Sequence, residues 1–500
     1  MDKKILALCD MGSVRGISVR YLSSFIKSKA CRVKLIFPLL PSRGFDSLPR
    51  LSDIQKQNVY NFLLEHEISH LGFQLMTGSF KAFKDLVKYL RSKHWQGTII
   101  AGGVHAFICP EETLCDGVDY VVVGPGEESL LAILKGDVSL NEISGLWYRH
   151  EGVVINNPIS NDAYIPLNEL PFPDYDFSDH YLIKDEINVF TLKLFNKHNT
   201  WGGKQYYLTT SRGCPYRCTY CCNVNHKHIS RASIDHIMLE LKQAKEIFPD
   251  LVGINIEDDC FFLGSDEWTR DFSVRLKNEI NLPFIIRIIP RFASKERLEL
   301  LRDHGLKYVS LGLQGSERLN RDIYLRKETN KSVIDSCNIM AKLGITYIID
   351  IILDNVYETE DDLREIASTL NQLKRPFKLN LFSMTVFPGT KFYEKVVNDN
   401  LLDKFSTDPY ESVNLPSKKD GYKTPLYWKR LYDVISINSG REIDKLIKSN
   451  PLDEHSVKLV DKLFNRFSFK MKCAQYLKQN HAYLFDLILD LLSFLRKLRS

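Results

Sequence analysis

Cys214, Cys218 and Cys221 lie within the run Ser211-Arg212-Gly213-Cys214-Pro215-Tyr216-Arg217-Cys218-Thr219-Tyr220-Cys221-Cys222, and their type and spacing imply chemistry most directly in this chain. The Cys-x3-Cys-x2-Cys spacing presents three thiolates on one tight loop. They can hold three irons of a four-iron, four-sulfur cube and leave the fourth iron without a protein ligand, open for chemistry. Other readings fit less well. Zinc needs a fourth ligand, which His226 or His228 could supply, but zinc cysteines usually come as two separated Cys-x2-Cys pairs. A redox dithiol at Cys218 and Cys221 leaves Cys214 unexplained. Three cysteines beside Gly213, Pro215 and Arg217 are poorly explained as core.

A loop of this kind must be held by regular elements. The strand-like run Gln205 to Thr210 precedes it, and further strands are expected at Val252–Ile256, Phe284–Ile289, Lys307–Leu313, Ile345–Leu353 and Lys378–Thr385. Helical periodicity fills the gaps at Ile234–Ile247, Trp268–Asn278, Lys295–His304, Ser332–Leu343 and Glu360–Leu373. Six βα units make a partial parallel barrel, in which function gathers at the strand carboxyl ends. The cysteine loop is at the first of those ends.

Upstream, Lys4–Leu8, Arg32–Phe37, Ile68–Leu75, Thr98–Ala101 and Tyr120–Val123 read as buried strands. Ile17–Lys27, Ile54–Glu65 and Phe80–Arg91 read as the helices that cover them. This alternation predicts an α/β fold with a doubly wound parallel sheet and ligands at the carboxyl ends of its strands. Two loops at that edge, Gly102-Gly103-Val104-His105 and Gly124-Pro125-Gly126-Glu127-Glu128, would let a bulky ligand approach the backbone. His105 reads as a polar loop residue. Ile143 to Pro158 alternates around Glu151-Gly152 as a β-hairpin does. The expected division is a first α/β domain over 1–140, a linker with the hairpin over 141–200, the barrel over 201–390 and a mainly helical region over 391–500.

The cysteine spacing, with Tyr220 before the last cysteine, resembles the signature of the radical S-adenosylmethionine (SAM) superfamily. The resemblance implies a [4Fe–4S] cluster whose open iron chelates the amino and carboxylate groups of SAM. Reductive cleavage of SAM then releases a 5′-deoxyadenosyl radical. It also implies Tyr220 against adenine and Glu257 or Asp258 receiving the SAM ammonium through a charge-assisted bond. Arg287 could pair with the SAM carboxylate or a substrate anion, Arg326 would lie near the carboxylate, and Gln314 and Ser316 suit the ribose hydroxyls. Arg291, just beyond Arg287, is a further candidate. No catalytic side chain is assigned beyond the cluster. Relatives have a Gly-rich turn where this chain has Asp354-Asn355-Val356-Tyr357-Glu358-Thr359, so the adenine contact there is altered.

The segments "AGGVHAFICPEE" and "VDYVVVGPGEESL", followed by the cysteine loop, resemble the Rossmann-like cobalamin-binding domain fused to radical SAM barrels. In that family the glycine loops line the pocket for the nucleotide tail, which implicates Gly102, Gly103, Gly124 and Gly126, with Glu127 beside them. Cobalamin-dependent mutases carry a cobalt-ligating His in Asp-x-His-x-x-Gly. Here the loop reads Asp10-Met11-Gly12-Ser13-Val14-Arg15, with Gly12 at the histidine position and no cobalt ligand.

The net charge of +5 over 500 residues, without a basic tract, excludes an argument for nucleic acid. The start, Met1 to Ile5, lacks a signal-peptide pattern, so a cytoplasmic protein is expected, and its 11 cysteines are thiols or metal ligands. No apolar run reaches membrane-spanning length. The stretch His481 to Ser500 could dock on a membrane surface or a partner, and packing onto the barrel is the expectation. The expected activity is cobalamin-dependent methyl transfer to an unactivated carbon of a small molecule or biosynthetic intermediate, with flavodoxin or ferredoxin as electron donor. The alternatives are a radical cyclisation, rearrangement or oxidation without methyl transfer, and a non-catalytic cobalamin or SAM sensor.

Overall fold

Two large sheets, one mixed with a parallel centre and one parallel throughout, carry the chain, in a computed structural model that describes residues 4–38, 50–199, 204–225, 228–405, 408–410 and 424–480. His226 and the segment 481–500 lie outside the described residues.

In the first sheet β1 (Ile5–Asp10), β2 (Arg32–Phe37), β3 (His70–Gln74), β4 (Thr98–Gly102) and β5 (Tyr120–Val122) run parallel in the order β5-β4-β3-β1-β2. Leu6 and Leu8 of β1 pack into one core, and Ile5, Ala7 and Cys9 into the core on the opposite face. Burial on both faces is why these strands read as unbroken apolar runs. The strand order reverses between β1 and β3, the place where α/β sheets open a ligand crevice.

The hairpin forms as β6 (Leu146–His150) and β7 (Val153–Asn156), with Glu151 and Gly152 both at positive φ, 50° and 79°, as a two-residue type I′ turn requires. It pairs antiparallel with β5, so it extends the first sheet. On the other edge β8 (His180–Ile183) pairs with β2, and β9 (Ile187–Val189) follows it. Much of 141–200 is therefore built into the first sheet. Buried Arg20 fastens it there, donating to the carbonyl oxygens of Arg15 at 2.6 Å and Asp174 at 2.7 Å.

The second sheet consists of β10 (Gln205–Leu208), then, after the short antiparallel pair β11 (Ser211–Arg212) and β12 (Ser230–Arg231), β13 (Gly253–Ile256), β14 (Phe284–Ile288), β15 (Leu306–Gln314), β16 (Thr346–Leu353) and β17 (Lys378–Ser383). The six long strands are parallel and lie side by side in chain order. The sheet has β10 and β17 at its two ends and is an open, partial barrel. Side chains of Ser233, Ser265, Ser294, Thr329 and Thr359 each accept a backbone N–H in the first turn of the helix that follows, which is why each helix starts where it does.

The described part of 391–480 is mainly helical, as expected. Leu426–Ile435 and Arg441–Lys448 pack on the barrel helix Glu360–Asn371, with buried Trp428 donating its Nε1–H to Glu360 at 3.1 Å. Among the described residues no helix is long and apolar enough to cross a membrane.

Candidate functional site

The cysteine loop is held at both ends before any ligand is considered. Asp258, just past β13, is 1% exposed and accepts the backbone N–H groups of Thr210 and Ser211 at 2.7 and 2.9 Å, together with the Thr210 hydroxyl. Arg231 lies 3.9 Å from the same carboxylate. Gly213 takes φ 95°, and a Cβ there would stand 2.3 Å from the His228 carbonyl oxygen, so only glycine fits the turn into Cys214. At the far end Thr219 bonds to the carbonyls of Tyr324 and Ile323, and its own carbonyl accepts from Phe392. Below the loop Tyr216 donates to Glu328, which also takes Arg291 at 2.9 Å and Ser332 at 2.6 Å.

Burial pushes the Cys214 thiol up to about 11 and raises Cys218, which the neighbouring Arg326 guanidinium opposes. The metal-free thiols are thus protonated at neutral pH, and binding metal must release those protons. Among the described residues no three such side chains converge as the ligands of a single ion do. The corners of a cube keep their thiolates farther apart.

The barrel residues expected around SAM divide into two groups. Arg326 lies beside Cys218 and Tyr220 and donates to the Gly312 carbonyl at 3.2 Å, while its buried Nε–H has no partner. Gln314, at φ 63°, lays its amide where a Gly312 side chain would be. Tyr220 packs edge-on against Tyr324 at 5.0 Å. Glu257 and Arg287 face one another at 3.5 Å, and both are partly exposed. Of these five, Tyr220 belongs to the loop, Arg326 lies beside it, and Gln314, Glu257 and Arg287 stand at the carboxyl ends of β15, β13 and β14.

The others are engaged elsewhere. Of Glu257 and Asp258, either of which is expected to receive the SAM ammonium, Asp258 is held by the loop backbone. Ser316 is fully buried and donates to Asp362 at 2.5 Å, away from the ribose role expected of it. Arg291 is spent on Glu328. The altered turn after β16 is held by charge. Asp354, at φ 61°, accepts from Thr424, Ser383 and Lys429, the last at 2.9 Å as a buried ion pair from the C-terminal region.

On the facing domain a slot of about 350 Å³ opens at the β1/β3 switch point. Its floor is Leu8, Gly72, Ile100 and Val122 from four adjacent strands, and Gly102, Gly103, Gly124, Gly126 and Glu127 form the rim. The rim glycines leave backbone bare. Gly103 takes φ 92°, and a Cβ would stand 2.8 Å from the Leu75 amide nitrogen. A mostly apolar slot with a glycine rim fits the nucleotide tail of cobalamin. Two barrel residues, Thr209 and Arg212, complete its wall.

A second cleft of about 230 Å³ shares Gly103, Gly124, Pro125 and Arg212 with the slot and is closed by Cys222, Asn223 and His228. Cys222, read as a bystander to the cluster, therefore faces the first domain. Asp10 caps its own turn, accepting from the amides of Gly12 and Ser13 at 2.8 and 2.9 Å. His105 is a core residue instead of a loop residue. It is fully buried against Phe80, and burial pushes its imidazole down to about 4, so it is neutral.

Sequence reasoning missed the seam between the domains. Glu127 is ion-paired with Arg212 at 3.1 Å. Buried Glu240 accepts from Tyr21 of the first domain at 3.2 Å and Tyr206 of β10 at 2.7 Å. The only local signal was a glutamate on the buried face of an amphipathic helix.

Residues 4–134 match the B12 binding domain and residues 208–370 match the Radical SAM superfamily. The chain is 23% identical over 409 residues to an uncharacterized methyltransferase of Pyrococcus horikoshii, covering 80% of this chain and 82% of the relative. It is 22% identical to the bacteriochlorophyllide d C-8(2)-methyltransferase of Chlorobaculum tepidum, covering 77% and 80%. Among solved structures it resembles the radical SAM methyltransferase TsrM of Kitasatospora setae. With cobalamin and a [4Fe–4S] cluster bound, the TM-score is 0.62 at 13% identity, covering 80% and 78%. With tryptophan and a SAM analogue, it is 0.63 at 15% identity, covering 79% and 76%. At these identities the structural likeness is one of fold.

Proposed function

From a chain that joins a B12-binding domain to a radical SAM domain, and so implies a [4Fe–4S] cluster, SAM and cobalamin, we propose a methyltransferase acting on an unactivated carbon of a small molecule. The observation that carries this reading is the pair of clefts that share one wall. The glycine-lined slot and the cleft against the cysteine loop meet at Gly103, Gly124, Pro125 and Arg212, so two cofactors would face one mouth. The names of the two curated relatives, both methyltransferases, support the same reaction class.

When bound, the cluster supplies the electron that divides SAM, and cobalamin supplies the methyl group. The chain's own residues orient these groups. Cys214, Cys218 and Cys221 hold three irons. Glu257 receives the SAM ammonium, and Arg326, with its unpartnered Nε–H, and Arg287 serve the carboxylate. Tyr220 and Gln314 border the nucleoside, and Gly102, Gly103, Gly124 and Gly126 admit the nucleotide tail of cobalamin. No proton needs to be moved by a side chain. The electron comes from a small carrier such as flavodoxin or ferredoxin.

The test uses the full chain, reconstituted anaerobically with iron and hydroxocobalamin and given a strong reductant and trideuteromethyl SAM. Labelled methylcobalamin and S-adenosylhomocysteine, alongside 5′-deoxyadenosine, are expected. Deoxyadenosine alone points to cyclisation, rearrangement or oxidation. If neither product forms on protein that carries its irons, the enzyme reading fails.

A further inference from the structure

We propose that Arg212 is a positioning residue that couples the cobalamin slot to the cysteine loop, so that each cofactor binds more tightly when the other is in place. The inference rests on the cobalamin reading above. Among the described residues, Arg212 is the one barrel residue that lines both clefts. Its guanidinium bonds to Glu127 at 3.1 Å, at the start of the helix that follows the second glycine loop, and lies 5.9 Å over the ring of Tyr21. The Glu127 side chain is 5% exposed and that of Arg212 35%, so the pair is partly screened, and losing Arg212 would leave the buried carboxylate without its cation. The first domain and the barrel are joined here by this ion pair.

Arg212 also lies two residues before Cys214, and the backbone between them and the barrel has little freedom. Asp258 grips the amides of Thr210 and Ser211, Ser211 and Arg212 are paired with Arg231 and Ser230, and Gly213 packs on the His228 carbonyl. A displacement of the slot wall at Arg212 therefore moves Cys214 rather than being absorbed between them. Coupling through such a rigid segment is reciprocal in binding free energy.

The experiment compares hydroxocobalamin affinity, read by absorbance, for iron-free and cluster-loaded full-length protein. In the wild type the cluster should tighten hydroxocobalamin by about five-fold or more, and hydroxocobalamin should shift the electron paramagnetic resonance spectrum of the reduced cluster. Arg212→Gln and Glu127→Gln should each bring the affinity ratio to one and abolish the spectral shift, with iron still bound. Should Arg212→Gln fail to fold, the double variant R212Q/E127Q, which leaves no stranded carboxylate, should fold and show the same loss. A wild-type ratio of one, or variants that keep the wild-type ratio and spectrum, would overturn the coupling while leaving the cofactor reading intact. Wild-type protein that binds no hydroxocobalamin overturns the cofactor reading and this inference with it.

Discussion

The two rims that meet at the seam lie at the same place in their sheets, the carboxyl ends of parallel strands, and are built by opposite means. The first-domain rim is stripped of side chains at Gly102, Gly103, Gly124 and Gly126, with Glu127 turned onto Arg212. The barrel rim is crowded with charge, where Asp258 grips the loop backbone, Glu257 faces Arg287, and Arg326 leans on Cys218. Bare backbone admits a large, mostly neutral body by shape. Fixed charges orient small ionic groups. One topological position thus serves two kinds of recognition, according to whether side chains are removed or aimed.

Replacing one ligand breaks the barrel side of this contrast most completely. Cys218→Ala should lose the cluster and reduce SAM cleavage to background, as iron content and deoxyadenosine yield would report, while hydroxocobalamin still binds, several-fold more weakly. The opposite result, retained iron and cleavage, would refute the ligand assignment. Gly103→Ala attacks the other rim. The left-handed φ and the clash with Leu75 should destabilise the first domain by about 2 kcal/mol and abolish cobalamin binding, with SAM cleavage retained. Denaturant unfolding and bound cobalt measure the two effects separately.

Asp258→Ala tests whether the barrel rim depends on its buried carboxylate. Two loop amides would lose charge-assisted bonds worth roughly 1.5–3 kcal/mol each before relaxation, and iron should be lost to a chelator faster than from the wild type. Unchanged iron retention would assign Asp258 no part in holding the loop. The smallest expected effect lies at the seam. Burial raises the Glu240 carboxyl to about 7 despite its bonds from Tyr206 and Tyr21. The fold therefore holds a proton that the unfolded chain releases above the ordinary carboxyl range, and the associated stability, full below about 4.5, is lost as pH rises through about 7. Glu240→Gln should flatten the fall in Tm between pH 5 and 8, and an unchanged pH profile would place the titration elsewhere.

Much of this architecture was legible because it is written in local chemistry. Cysteine spacing is fixed by covalent geometry, the Glu151-Gly152 turn by its left-handed backbone, and the barrel helix starts by Ser and Thr caps. The division of labour between Glu257 and Asp258 was not legible, since two adjacent carboxylates differ only in which way the strand end turns them. Ser316 likewise carries a hydroxyl suited to a ribose, yet packing buries it on Asp362.

The sequence by itself determined the spacing of Cys214, Cys218 and Cys221, the parallel strands of both sheets and the two glycine loops, since each depends on residues within one loop or one repeating unit. Only the tertiary structure decided that these sites share a wall. Arg212 meets Glu127 across 85 residues of chain, and Tyr21 meets Glu240 across 219. Contacts at that range depend on how two finished domains dock, where buried charge must find a partner wherever the fold supplies one.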